Sequence, residues 1–259
     1  MRITRVPAAP LLLTAGLLAG APALTAAQPS DDDESASESE GEFYFARLAY
    51  SDALGFGRRY RGAWLTDYPE AETHLLEGLG RLTRLALGPE GVGVDLSSDE
   101  IMNYPFIYAV EVGHWQLGEQ EAARLREYLL RGGFLVVDDF WGTYEWSVFL
   151  DSIQRVFPDR SIVELEDDNE VLHVLYQLKR DVQIPGVSYV YTGQTWQRDG
   201  RVPHWRGIYD DDGRLMVAIN FNMDLGDAWE HADNPAYPEP MTTLAYRFAI
   251  NYIIYAMTH

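Results

Sequence analysis

The chain has 259 residues, with 20 Lys and Arg against 40 Asp and Glu, a formal charge of −20 and no cysteine. The absence of cysteine excludes disulfides, cysteine-ligated metal centres and a thiol nucleophile. Because an acidic surface repels the phosphate backbone that dominates nucleic-acid affinity, we expect no nucleic-acid partner.

The first 27 residues have the pattern of a secretory signal peptide: arginines at the start, an apolar stretch at 11–24 and small residues at 25–27. The apolar stretch is shorter than the roughly 20 residues of a membrane-spanning helix, so an uncleaved anchor is the alternative. Residues 28–42 are rich in Ser, Asp and Glu, which is typical of a disordered linker. We therefore predict a periplasmic or secreted protein with a single α/β domain at 43–259.

The rest of the chain alternates between strand and helix patterns. The predicted elements are a strand at 43–50, a helix from 67 through 83, strands at 92–96 and 106–112, a helix that ends at 132–133, a strand at 134–137, a helix at 146–157, a strand at 162–165, a hairpin of 205–210 and 215–220, and a helix at 241–257. The alternation predicts a doubly wound, mostly parallel sheet, to which the hairpin adds antiparallel strands.

Several short motifs occur in a distinctive order. They are Tyr104-Pro105-Phe106, Tyr128-Leu129, Gly132-Gly133-Phe134-Leu135, Asp138-Asp139-Phe140-Trp141 and Gly226-Asp227-Ala228-Trp229-Glu230. This combination resembles the bacterial domain-of-unknown-function family 4159. The resemblance implies a flavodoxin-like fold similar to the class I glutamine amidotransferases, and partners in a membrane system with a MoxR-type ATPase and von Willebrand A-domain proteins. It implies no activity. Amidotransferases of this fold use a cysteine nucleophile, so the chain cannot hydrolyse glutamine by that route.

Two adjacent carboxylates follow the apolar strand at 134–137. In open α/β sheets, ligands bind outside the carboxyl ends of strands. Asp138 and Asp139 could there hold a hard cation, or divide into an acid and a base if their pKa values diverge. The alternative is structural: one aspartate caps the following helix and the other faces solvent.

A second polar motif lies near the end of the predicted hairpin. It consists of Asn220, Asn222, Asp224, Asp227, Trp229, Glu230 and His231. If its first part stays extended, alternate side chains share one face, which suits a metal ion or a polyol. An EF-hand is excluded, because Leu225 and His231 stand where that loop requires glycine and glutamate. A structural cluster of Asx turns is the alternative.

Arginines and tryptophans supply further candidates. Arg47, Arg58, Arg59 and Arg61 could bind a carboxylate or a phosphate, or could instead neutralise acidic groups within the fold. Tryptophans beside the two acidic motifs could stack on sugar rings, with packing as the alternative.

The sequence favours a non-catalytic ligand-binding or assembly module for a small polar ligand or glycan. Its predicted ligand-binding residues are Asp138, Asp139, Trp141, Asn220, Asn222, Asp224, Asp227, Trp229, Arg58 and Arg59. No cofactor is required, although Asp138, Asp139, Asp224 and Asp227 could hold a divalent cation. The alternative is a carboxylate- or metal-dependent hydrolase acting on envelope carbohydrate, with catalytic candidates Asp138, Asp139, Asp224 and Glu230. In the hydrolase hypothesis, Asp139 or Asp224 is the general base and Glu230 is the general acid.

Overall fold

The computed structural model describes residues 41–51 and 62–259. The predicted signal peptide, most of the predicted linker and the arginines at 58, 59 and 61 lie outside the described residues. No helix in the described ranges has both the length and the hydropathy that crossing a membrane requires.

The described chain alternates between strands and helices. The strands are β1 (Ala46–Ala49), β2 (Val92–Asp95), β3 (Phe106–Val110), β4 (Phe134–Asp138), β5 (Val163–Glu164), β6 (His204–Tyr209) and β7 (Leu215–Phe221). The helices are α1 (Glu70–Leu82), α2 (Glu119–Leu130), α3 (Gly142–Val156), α4 (Tyr189–Thr192), α5 (Leu225–Glu230) and α6 (Glu239–Thr258).

These strands form a seven-stranded sheet in the order β2-β1-β3-β4-β7-β6-β5. The pairs from β2 to β7 are parallel, whereas β6 runs antiparallel to both β7 and β5. The order 2-1-3-4 at one side of the sheet is that of flavodoxin-like folds. The predicted mostly parallel sheet with an added antiparallel hairpin is therefore confirmed.

Helices cover both faces of the sheet, which explains why the central strands are apolar along their whole length. Phe106, Tyr108 and Val110 of β3 pack in the cluster that contains residues of α1 and α6. Ile107 and Ala109 point the other way, into the cluster that contains residues of α2 and α3.

The segment after β7 does not stay extended. Asn222 has φ of 61°, which ends the strand, and Asp224 accepts a hydrogen bond from the Asp227 N–H as the N-cap of α5. Asx residues favour such conformations because their side chains bond nearby backbone groups. The turn at Asn222 therefore interrupts the extended arrangement considered for Asn220, Asn222 and Asp224, and α5 carries the rest of the second polar motif back over the sheet edge.

Candidate functional site

Polar side chains collect where β3, β4 and β7 end. These strands are parallel neighbours, so their carboxyl ends share one edge of the sheet. We call the acidic residues that gather there the carboxylate cluster. It consists of Asp67, Glu111, Asp138, Asp139, Glu145, Asp224, Asp227 and Glu230, which are linked by electrostatic interactions. The cluster joins the two acidic motifs, which are far apart in the sequence.

Asp138 lies at the floor of the cluster and is fully buried. Its Oδ2 accepts hydrogen bonds from the Tyr108 hydroxyl (2.9 Å) and from the N–H groups of Leu225 (2.7 Å) and Gly226 (3.2 Å). Its Oδ1 has no hydrogen-bond partner among the described residues. Burial raises the pKa of Asp138 to about 7, although these hydrogen bonds favour the ionised form.

Asp139 has φ of 49°, and its Oδ1 accepts a hydrogen bond from the Trp141 indole N–H at 2.7 Å. Burial, followed by the negative charge of Asp227, raises its pKa to about 8. The interpretation that one of the paired aspartates caps the next helix is wrong. The N–H groups of the N-cap residue Trp141 and of the first two helical residues are instead bound by the side chains of Glu145, Asn222 and Asp199.

Asp224 and Asp227 approach from α5. The carboxylate of Asp224 accepts from the Asp227 N–H at 2.7 Å, and Asp227 Oδ2 accepts from the Val187 N–H at 2.6 Å. Burial, then the charges of Asp139 and Asp227, raise the pKa of Asp224 well above its ordinary value. A Cβ on Gly186 would lie 2.9 Å from Asp224 Oδ2 and 3.0 Å from Asp227 Oδ2. Only glycine lets the backbone approach this carboxylate pair so closely.

The asparagines of the second motif have structural roles. Asn220 accepts a hydrogen bond from the Tyr252 hydroxyl of α6. Asn222 Oδ1 accepts from the Gly142 N–H, and its Nδ2 donates to the Val202 carbonyl. Asn222 therefore supports the site by fixing the start of α3.

The two tryptophans beside the acidic motifs are buried, each with 2% of its surface exposed. The Trp229 ring packs against Tyr108 and Phe45, with centroids 5.3 and 6.3 Å apart. Trp141 holds Asp139 through its indole N–H. Both tryptophans therefore have the packing role given as the alternative to sugar stacking, because neither presents an open ring face to a sugar.

Asp67 belongs to the site although the sequence suggested only that it opens α1. That helix begins at Glu70, and Asp67 lies before it with φ of 64°. Arg47 positions this segment by donating hydrogen bonds to the carbonyls of Trp64 and Thr66. Arg47 also forms a buried ion pair with Glu72, so it neutralises an acid within the fold. Burial raises the pKa of Asp67, whose Oδ2 has no hydrogen-bond partner in the described part of the chain.

Left-handed backbone conformations concentrate at this edge. Apart from glycines, the described residues with positive φ are Asp67, Glu111, Asp139, Arg198 and Asn222. Three belong to the carboxylate cluster, Arg198 pairs with Glu145, and Asn222 fixes α3. Such conformations cost on the order of 1–3 kcal/mol each and are concentrated at functional sites. The observed strain therefore marks this edge as the candidate site.

Each side of the cluster contains one histidine with two carboxylates. In the His114 triad, the imidazole Nε2 lies 3.4 Å from Glu111 Oε2 and 3.5 Å from Glu145 Oε1. In the His231 triad, Nε2 lies 3.3 Å from Glu230 Oε2 and 3.5 Å from Asp227 Oδ1. Bonds of about 2.0–2.1 Å in a tetrahedral zinc site place neighbouring ligand atoms roughly 3.3–3.4 Å apart. The three ligand atoms of each triad lie within 4.8 Å of one another, so both triads are candidate positions for a divalent metal ion.

The sequence pointed to only part of these triads. Asp227, Glu230 and His231 all stood in the second polar motif, whereas Glu111, His114 and Glu145 were not singled out, although Glu111 and His114 are three residues apart. Position after an apolar strand was the available signal for Glu111, which directly follows β3.

Comparison with known proteins places the domain in a family. A family model described as "Domain of unknown function (DUF4159)" matches residues 44–257, a range that contains the whole carboxylate cluster. No curated protein matches the chain significantly. The match spans most of the chain, and the chain therefore belongs to the DUF4159 family.

Proposed function

We propose that the chain is a ligand-binding module that holds a divalent metal ion in the carboxylate cluster. The observation that carries this proposal is the accumulation of buried carboxylates without an ion-pair partner. Asp67, Asp138, Asp139 and Asp224 have no cationic side chain within ion-pair distance among the described residues. Burying such groups unpaired costs several kcal/mol each, and a bound cation offsets that cost.

The His231 triad is the proposed binding position. It offers Asp227 Oδ1, Glu230 Oε2 and the imidazole Nε2 on one short stretch of chain, and Asp139 adds negative charge beside Asp227. Asp138 and Asp224 are the floor of the site, because their oxygens bind backbone N–H groups of α5. Of the predicted ligands, Asp227 contacts the ion in this proposal and the others shape the site.

Metal titration tests the proposal. The chain is stripped with chelator and titrated with Zn²⁺, Mn²⁺, Ca²⁺ and Mg²⁺ by calorimetry and thermal melting. We expect saturable binding of at least one ion and a rise in melting temperature, because a ligand bound to the native state stabilises it. Asp227→Asn and His231→Ala should each weaken binding at least tenfold, while Asp212→Asn, on an exposed turn, should not. Binding that is absent, or equal in all variants, would contradict the proposal.

The hydrolase hypothesis is the second candidate, and one observation favours it. Asp138 and Asp139 are adjacent and have pKa values of about 7 and 8, so their protonated and ionised forms coexist near neutral pH. Such a pair can exchange protons with a substrate. The test is turnover of envelope carbohydrates with a bell-shaped pH dependence. Loss of that turnover in Asp139→Asn, with the fold intact, would establish catalysis, and inactivity of the wild type on all substrates would favour the binding module.

We also propose, from the sequence, that the protein is exported and that it associates with a membrane complex. The N-terminal pattern supports export after cleavage near residues 25–27. The family resemblance supports association with a MoxR-type ATPase and von Willebrand A-domain membrane proteins. N-terminal sequencing of the exported protein tests cleavage, and co-purification from membranes under mild detergent tests association.

A further inference from the structure

The His114 triad contains a carboxylate whose bonding is incomplete. Glu145 is 1% exposed, and its Oε2 accepts a hydrogen bond from the Trp141 N–H at 2.5 Å. Its Oε1 lies 2.5 Å from Arg198 Nη2 and 3.5 Å from His114 Nε2. Neither contact has the geometry of a hydrogen bond, so this buried oxygen has no hydrogen-bond partner among the described residues. This oxygen therefore already faces a cation, the Arg198 guanidinium, through an ion pair, and it lies within 4.8 Å of the ligand atoms of Glu111 and His114.

We propose that Glu111, His114 and Glu145 form a second divalent metal site, and that Arg198 competes with the metal for Glu145 Oε1. One imidazole with two carboxylates suits Zn²⁺, and three protein ligands leave a fourth position for water or a substrate. The guanidinium of Arg198 lies at the oxygen that the metal needs, so the metal must displace this side chain. Asp139 and Asp67 interact electrostatically with Glu111 and favour the more highly charged cation.

Hydrogen bonds fix the backbone of the loop around Arg198, while the Arg198 side chain makes none with the described residues. Asp199 accepts hydrogen bonds from the Thr143 N–H (3.0 Å) and hydroxyl (2.8 Å), which fixes the loop to the start of α3. The Gly200 N–H donates to the Gln197 carbonyl at 2.9 Å. The Arg198 side chain is 52% exposed, so it can swing into solvent without unfolding the loop. The ion pair joins a half-exposed arginine to a fully buried carboxylate, and we expect its competition to reduce metal affinity by about three- to tenfold.

This inference deepens the proposed cation binding by adding a second position, and the two positions can be tested separately. The full chain is stripped of metal and titrated with Zn²⁺ by calorimetry. Co²⁺ absorption serves as a readout of coordination that does not depend on activity. Experiments in a His231→Ala background isolate the second position. Arg201→Ala is the matched control, because Arg201 is an exposed arginine of the same loop that stacks on Trp196 rather than pairing with Glu145.

In that background, Arg198→Ala should tighten Zn²⁺ binding about three- to tenfold, and Arg201→Ala should leave it unchanged. His114→Ala should abolish this binding and the Co²⁺ spectrum, and Glu111→Gln replaces it if His114→Ala fails to fold. Equal affinities for the two arginine variants would overturn the competition. Loss of all binding in His231→Ala would overturn the second site while sustaining the proposed function. Metal binding that is lost in His114→Ala but unchanged in His231→Ala would support the site at the His114 triad and contradict the proposed site at the His231 triad.

Discussion

The strongest quantitative prediction concerns Asp138→Asn and the pH dependence of stability. The carboxyl group is fully buried, and its pKa rises from the ordinary 3.8 to about 7. An acid with a raised pKa in the native state holds its proton there more tightly than in the unfolded chain. Its contribution to stability is therefore fully present below pH 4 and is lost as pH rises through about 7.

The size of this effect follows from the shift. A difference of about three pKa units, at about 1.4 kcal/mol per unit, corresponds to about 4 kcal/mol between pH 4 and pH 8. Asp139 is adjacent and shares the titration, which lowers the part due to Asp138 to about 2–4 kcal/mol. Asparagine keeps an oxygen that can accept from Tyr108, Leu225 and Gly226 but cannot ionise. The variant should match the wild type near pH 4 and exceed its stability by about 2–4 kcal/mol at pH 8.

Urea unfolding at intervals from pH 4 to 8, in the presence of a chelator, measures this difference directly. Asp212→Asn, which makes the same chemical change on an exposed turn, is the control and should track the wild type. If the curves for Asp138→Asn and the wild type run parallel across the whole range, the carboxyl group does not titrate as its burial requires, and the reasoning is refuted.

Other predictions concern the supports of the site. Gly186→Ala should lower the free energy of unfolding, measured in urea, by about 1–3 kcal/mol, because the added Cβ would crowd two buried carboxylates. Gly80→Ala on α1 is the control and should be neutral or stabilising. Equal effects of the two substitutions would contradict the close approach of the Gly186 backbone to the carboxylates. Asn222→Ala should lose about 1–3 kcal/mol, visible as a lower melting temperature, because the α3 N–H loses its acceptor. Tyr108→Phe removes a bond that favours ionised Asp138, so it should destabilise the chain more at pH 8 than at pH 5; a pH-independent loss would count against this role.

The sequence predicted the sheet and one part of the site because both depend on local patterns. An apolar run such as Phe134–Val137 predicts a buried strand, and its position predicts that the following aspartates reach the ligand-binding edge. Asp67, Glu111 and Glu145 were not predicted. These three residues reach the carboxylate cluster because of backbone turns and the order of the strands, and no local sequence pattern encodes either. The helix α5 was also not identified from the sequence, because its N-cap, Asp224, was interpreted as one of several equivalent polar residues.

The short helix α5 is fastened at both ends. Asp138 accepts from N–H groups in its first turn, and His74 Nδ1 contacts the carbonyls of Trp229 and Glu230 at its last. His74 also lines a surface groove of about 700 Å³ between α1 and α6. The helix α5 therefore connects the buried floor of the cluster to the wall of this surface groove. Amide exchange within this helix would therefore report on changes of charge at the buried floor.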